Sequence, residues 1–348
     1  MRKVSAIISL ASLLLVSGAW AQGLKDAYKD CFKVGVALSG RNLTPEQEAL
    51  VLREFNSVTC ENAMKPGSLQ PEKDKWNWRD ADRIADFCRA HGLKMRGHCL
   101  VWHNQFANWM LYDEHGNFVD KKVFYKRLKK HIQTVVKRYK DVVYCWDVVN
   151  EAIADGPGDN PYRKSKLYEL CGDEFILKAF KFARQADPDA LLFYNDYNEV
   201  NPHKCERICQ MILDMKRRGA PIDGMGMQGH YNIYYPRMEE LSDAITKYAR
   251  VVDHIHITEL DVRTNMQQGG DLNVDKTGAA LTPEISARFE RQYLDLFHTL
   301  RRHSDKIEAV TFWNLADKYS WLGADNYPLL FDKDLRPKDV YYKVLNKG

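Results

Sequence analysis

Two glutamates stand at the ends of two short apolar runs: Glu151 in Tyr144-Cys-Trp-Asp-Val-Val-Asn-Glu151-Ala and Glu259 in His254-Ile-His-Ile-Thr-Glu259-Leu-Asp. A carboxylate at the mouth of a buried strand is costly to desolvate, so two in matching contexts point to chemistry that uses them. A pair of carboxyl groups flanking one bond is the machinery of glycosidic bond cleavage, one giving and taking a proton and the other attacking or stabilising the sugar carbon. Either Glu alone reads equally well as a strand cap or an arginine partner. The polar and aromatic residues around both favour the reactive reading.

The elements that must position them alternate. Apolar runs at 32–38, 57–63, 94–102, 143–151, 190–197, 224–231, 254–262 and 308–315 read as strands. Amphipathic stretches at 44–54, 78–91, 120–139, 173–186, 202–218, 237–250, 284–303 and 337–346 read as helices. Eight strand–helix pairs with nearly continuous apolar strands specify an α/β fold, a closed (β/α)8 TIM barrel in a single domain. Thr44-Pro45-Glu46 starts one helix with a cap and a proline, and Gly92 and Gly219 follow basic residues at two helix ends.

In such a barrel the reactive groups sit at the C-terminal ends of the strands. The predicted ends are Glu61-Asn62 with Lys65 close behind, His98 to Gln105, Asn150-Glu151, Asn195 to Asn198, Gln228 to Tyr231, Glu259 to Asp261, and Phe312 to Asn314. Sugar hydroxyls need directional donors and acceptors, which Glu61, Asn62, Lys65, His98, Gln105, Asn150, Tyr197, Gln228 and His230 supply. Sugar C–H faces need flat apolar rings, which Trp102, Trp313 and Trp321 supply. Trp76, Trp78, Trp109 and Trp146 are assigned to packing. Alternation places Glu259 on the face of Ile255, Ile257 and Asp261, and places His254 and His256 opposite, toward the helices. His254-x-His256 is therefore read as packing rather than as a metal site, and no cofactor is called for. Asn150 and Glu151 are neighbours and cannot both point inward on a regular strand, so a bulge or a strand end is expected between them.

The remaining features set the context. Arg2 and Lys3, an apolar run from Val4 to Val16 and Ala19-Trp20-Ala21 describe a secretory leader over 1–21, cleaved near Ala21-Gln22. Residues 22–348 are then the mature chain. It is expected to be exported, periplasmic or extracellular, without a membrane anchor. The formal charge of +4 over 348 residues is too small an imbalance to indicate nucleic acid or an anionic membrane as partner. The eight cysteines show no C-x-x-C spacing and are expected to be mostly free thiols, with one or two bridges left open.

Trp146-Asp-Val-Val-Asn-Glu151-Ala, Ile257-Thr-Glu259-Leu-Asp261, Gly97-His98-Cys-Leu-Val-Trp102-His103 and Thr59-Cys-Glu61-Asn62-Ala-Met64-Lys65 resemble glycoside hydrolase family 10, the endo-β-1,4-xylanases. Asn195-Asp196-Tyr197-Asn198, Gln228-Gly-His230 and Ser320-Trp321 extend the resemblance over nearly all of the mature chain. It implies retention of anomeric configuration, with Glu151 as acid/base and Glu259 as nucleophile, carboxyl groups about 5–5.5 Å apart, His230 near the nucleophile and Asp261 in a supporting role. It implies xylan and xylo-oligosaccharides as partners; the protein is expected to act as a monomer. Cys99, Asn314 and Phe106-Ala107 depart from the family's usual residues and bear on loop shape and sugar preference. A β-1,4-glucanase of the same barrel type and a non-catalytic glycan-binding protein are the alternatives.

Overall fold

The computed structural model describes residues 22–264 and 281–346; the predicted leader lies outside them. Nine strands form among the described residues: β1 (Lys33–Leu38), β2 (Ser57–Cys60), β3 (Lys94–Trp102), β4 (Val143–Asn150), β5 (Leu191–Asp196), β6 (Gly224–Met227), β7 (His230–Asn232), β8 (His254–Arg263) and β9 (Ile307–Phe312). Every pairing is parallel. β1 to β6 pair in sequence, β6 pairs with β8, β8 with β9, and β9 with β1, which closes an eight-stranded barrel. β7 continues β6 after a break and lies against the upper end of β8.

Local chemistry explains the helices between the strands. Thr44 and Gln47 cap the helix Pro45–Glu54 reciprocally, with Pro45 in its first turn. The helix Arg79–His91 stops at Gly92, whose φ of 66° is left-handed. In the helix Lys121–Tyr139, Phe124, Leu128, Ile132, Val135 and Tyr139 recur at three- and four-residue spacing and are buried against the barrel wall. Gly97 leaves room for the Trp146 ring on the neighbouring strand, since a Cβ there would lie 2.1 Å from it.

The barrel interior is polar at its lower end. Arg96 lies buried there, paired with Asp147 and donating to His256 Nδ1 at 2.7 Å, while its guanidinium stacks over Phe193. His256 therefore points inward, contrary to the sequence-based expectation. The reason is a bulge: Ile257 pairs with Val310 and Leu260 with Phe312, so three steps on β8 match two on β9. Alternation changes phase between them, and His256, Thr258, Glu259 and Asp261 all reach inward-facing partners. Burial pushes His256 down to about 4, in keeping with a neutral acceptor ring. Among the described residues no group of three or more His, Cys, Asp or Glu side chains is placed to hold a metal ion. Replacing Arg96 by methionine should destabilise the fold by about 3–5 kcal/mol, because Asp147 would keep a buried charge without its cation. Urea titration of the two proteins checks this, and an unchanged midpoint would contradict it.

Three other boundaries differ from expectation. β2 ends at Cys60, and the last bond of its ladder with β1 is Glu61 N donating to Leu38 O at 3.0 Å. The sixth strand breaks at Gln228-Gly229, where Gly229 has φ +79° and a Cβ would lie 2.8 Å from Ile257. The last strand ends at Phe312, and Trp313 N closes its ladder with β8 by donating to Leu260 O at 3.0 Å. All eight cysteines are free thiols. No described helix is long and apolar enough to cross a membrane.

Candidate active site

The C-terminal mouth of the barrel brings the two glutamates together. β4 ends at Asn150, and Glu151 adopts a left-handed φ of 59°, so both side chains enter the same site as the adjacency required. Glu151 Oε1 accepts from Asn150 Nδ2 at 3.1 Å and from Gln228 Nε2 at 3.0 Å, and Oε2 accepts from Trp102 Nε1 at 2.8 Å. Glu259 Oε1 accepts from Asn195 Nδ2 at 2.8 Å, and its Oε2 lies 3.2 Å from His230 Nε2. Asn195 Nδ2 also donates to Asn150 Oδ1 at 2.8 Å. The Asn150–Asn195 pair thus links one carboxylate to the other. Thr258 orients Asn195 by donating to its Oδ1 at 2.7 Å.

The two carboxyls have opposite proton affinities. Burial raises Glu151 above the ordinary carboxyl range, the Asp196 charge and then Glu259 add to it, and the Gln228 and Trp102 bonds only partly oppose it. Burial also pushes Glu259 upward, but the His230 bond and the charges of His98 and His230 outweigh it and leave Glu259 below its usual value. His230 is the counter-ion. Burial disfavours its charge, yet Asp261 and Glu259 on either side hold it up at about 10. Its Nδ1 faces Asp261 Oδ1 at 3.0 Å, and Trp321 Nε1 donates to Asp261 Oδ2 at 2.9 Å. An ionised group beside a protonated one of the same kind is the arrangement that acid/base and nucleophilic chemistry require.

The other predicted residues fall around this pair. His98 Nδ1 lies 2.9 Å from Asp147, and its ring meets the edge of Trp313 with centroids 5.3 Å apart. Trp321 packs edge-on to His230 at 5.1 Å. Lys65 Nζ donates to Asn62 Oδ1 at 2.9 Å and stands 4.6 Å over the Trp102 ring. Burial raises the Glu61 carboxyl above its ordinary value, and the Lys65 charge opposes that rise. Gln105 is exposed at the rim, with a left-handed φ of 44°. Tyr197 lies apart: it is buried, its hydroxyl donates to Asp155 and accepts from Arg163, and Lys204 sits 3.8 Å over its ring. It supports the loop behind Glu151, whose carbonyl accepts from Arg163 Nε at 3.0 Å.

Several residues that matter here escaped the sequence reading as site members. Asn195 is one, although its position at a predicted strand end was the available signal. Asp147, which holds His98, reads as one more polar residue in an apolar run. Asp196 lies in a buried cluster with Tyr194 and Lys204 and acts on Glu151 only through its charge.

A closed (β/α)8 barrel carrying two unlike carboxyls at its C-terminal mouth defines a class, the barrel hydrolases of glycosidic bonds. Comparison with known proteins narrows it. The Glycosyl hydrolase family 10 profile matches residues 23–347, and the chain belongs to that family. It is 52% identical to the endo-1,4-beta-xylanase/feruloyl esterase of Xylanibacter ruminicola over 97% of its own length, spanning 50% of that longer protein. It is 42% identical to endo-1,4-beta-xylanase B of Paenibacillus barcinonensis, covering 93% of this chain and 98% of the relative. A solved psychrophilic family 10 endo-beta-1,4-xylanase superposes with a TM-score of 0.90 at 56% identity, covering 94% and 99% of the two chains.

Proposed function

We propose that this protein is an endo-1,4-β-xylanase that cleaves internal β-1,4-xylosidic bonds with retention of configuration. The observation that carries this reading is the pair of bridged carboxyls with opposed proton affinities, Glu151 raised and Glu259 lowered. The relatives' names supply the substrate class.

In the first step the ionised Glu259 attacks the anomeric carbon, and the glycosidic C–O bond breaks. Glu151 gives its proton to the departing oxygen, and a glycosyl ester forms on Glu259. In the second step Glu151, now a carboxylate, takes a proton from water. The water oxygen attacks the same carbon, Glu259 leaves, and both groups return to their starting states. His230, charged and clamped by Asp261, keeps Glu259 ionised before attack. Glu61, Asn62, Lys65, His98, Trp102, Gln105, Asn150, Gln228, Trp313 and Trp321 bind the glycan, while Tyr197 supports the acid/base loop. No cofactor takes part. Residues 22–348 form one catalytic domain, acting as a monomer after export and removal of 1–21.

Reducing-sugar release from xylan and from carboxymethyl cellulose, measured side by side, tests the proposal. Xylan should be hydrolysed at least about tenfold faster, a difference of some 1.4 kcal/mol in barrier. Equal or preferred action on the cellulose derivative would make the protein a glucanase. Binding without release of sugar would make it a glycan-binding protein.

A further inference from the structure

Glu151 is held through its backbone by a residue that the mechanism does not use. On β5, Phe193 stacks under Arg96 and Asn195 bonds Glu259, so both face the barrel interior. Alternation turns Tyr194 and Asp196 the other way, toward the helices, where Lys204 on the helix Pro202–Arg217 pairs with Asp196 Oδ1 at 2.8 Å. Tyr194 is fully buried there, level with Val149 on β4. Its phenol oxygen accepts from Ala152 N at 3.0 Å and from Ile153 N at 3.1 Å, and its hydroxyl donates to Asp196 Oδ2. One donor site and two acceptor sites are thus all in use. These contacts fall on the turn that carries Glu151. The ladder between β4 and β5 ends with Glu151 N donating to Asn195 O at 2.9 Å, and the next two amides go to Tyr194. From the other side Arg163 Nε donates to the Glu151 carbonyl at 3.0 Å. Between these holds Glu151 keeps its φ of 59°, which a residue with a Cβ adopts only where its surroundings impose it.

We propose that Tyr194 is a positioning residue for Glu151: its hydroxyl, with Arg163 opposite, fixes the left-handed turn that points the carboxyl at the oxygen of the leaving sugar. This rests on the xylanase reading above. Burial lifts the proton affinity of the phenol well above its ordinary value, so the hydroxyl stays neutral and keeps both lone pairs for the two amides. Asp196 receives the phenol proton and is itself fixed by Lys204 and by Tyr197 N, which donates to its Oδ1 at 2.9 Å. Glu259 depends on different groups, Asn195 and His230 inside the barrel. Loss of the Tyr194 hydroxyl should therefore weaken proton donation and spare nucleophilic attack, a split that general loosening of the fold would not produce.

The test is Tyr194→Phe, which removes one oxygen and keeps the ring in the core. Rates are taken per active site, counted by covalent trapping on Glu259, so that misfolded protein does not enter. Xylo-oligosaccharides need a proton on the departing sugar, whereas an aryl xyloside with an acidic phenol needs little, and its kcat/KM reports the first step alone. Tyr194→Phe should lower kcat for xylo-oligosaccharides about tenfold to a hundredfold, up to the low end of what a general acid contributes. KM for them, and kcat/KM for the aryl xyloside, should stay within about twofold of the parent. In a Glu151→Ala background the same change should cost nothing further, because the group being positioned is gone. Arg163→Ala, on the partly exposed side of the same turn, should show the same split between substrates and carries the test if Tyr194→Phe does not fold. Equal loss on both substrates, an unchanged kcat, or a full further loss in Glu151→Ala would overturn the proposal. Parental hydrolysis of xylan is measured first. A parent that cleaves carboxymethyl cellulose in its place fails the xylanase reading alone, and the comparison then runs on cello-oligosaccharides and an aryl cellobioside. A parent that cleaves neither overturns both.

Discussion

Glu259→Ala is expected to abolish hydrolysis of xylan and of activated aryl xylosides alike, by about a hundred-thousandfold or more, the scale on which removal of a nucleophile is felt. Both substrate types must form the bond to Glu259, so a better leaving group gives no relief. The variant should fold. It loses the bonds from Asn195 and His230, but His230 retains Asp261 as its counter-ion at 3.0 Å. Added azide would occupy the space of the lost carboxyl and attack from the same side. Its product should therefore carry inverted configuration at the anomeric carbon. Steady-state rates with both substrates, and NMR of the azide product, decide the matter. Parental rates in Glu259→Ala would remove that residue from the chemistry.

Glu151→Ala should behave differently. Cleavage of xylan should fall by about a thousandfold, within the range for loss of a general acid. Aryl xylosides with acidic phenols need little proton assistance, so their first step should be nearly preserved, with the glycosyl ester accumulating as a burst. Azide should now accelerate turnover and give a product of retained configuration, because attack follows formation of the ester. The pH profile carries the same assignment. Glu151 must be protonated and its affinity is raised by burial, Asp196 and Glu259, so parental kcat/KM should be lost as pH rises through the Glu151 pKa. Glu259 must be ionised and its affinity is lowered, so the acid limb should lie below the ordinary glutamate range. Loss of the high-pH limb in Glu151→Ala with the aryl substrate is the expected result, measured over the full profile. An unchanged basic limb would place the titrating acid elsewhere.

Much of this site could be read from residue order because strands are short, apolar and bounded. Their C-terminal ends are where Glu151, Glu259, His98, Gln228 and His230 occur, and the barrel architecture then gathers the ends on one rim. What resisted reading was phase. Strict alternation fails wherever a strand carries an extra residue, and the bulge between Ile257 and Leu260 turned His256 inward against expectation while leaving Glu259 in the site. The left-handed Glu151 did the reverse, admitting two adjacent side chains where a regular strand admits one. The glycine at the break is demanded by its φ of +79° and by Ile257 on another strand, 2.8 Å from where a Cβ would lie, a closeness no local pattern encodes. Partners distant in sequence were equally hidden. Tyr197 sits in a motif at a strand end like the others, yet Asp155 and Arg163 draw it behind the cleft. Asn195 looks no different from its neighbour Asn198 until Asn150, Thr258 and Glu259 converge on it.

Covalent trapping addresses the pairing of Glu151 and Glu259 most directly. A 2-deoxy-2-fluoro-β-xylobioside with an activated leaving group slows both steps by destabilising positive charge at the anomeric carbon, and the leaving group restores only the first. Mass spectrometry of the intact enzyme and of its peptides then locates the sugar. A single adduct carried on Glu259, formed with release of one leaving group per enzyme, is the expected outcome. An adduct on another residue, or release of an inverted product with no adduct at all, would contradict it.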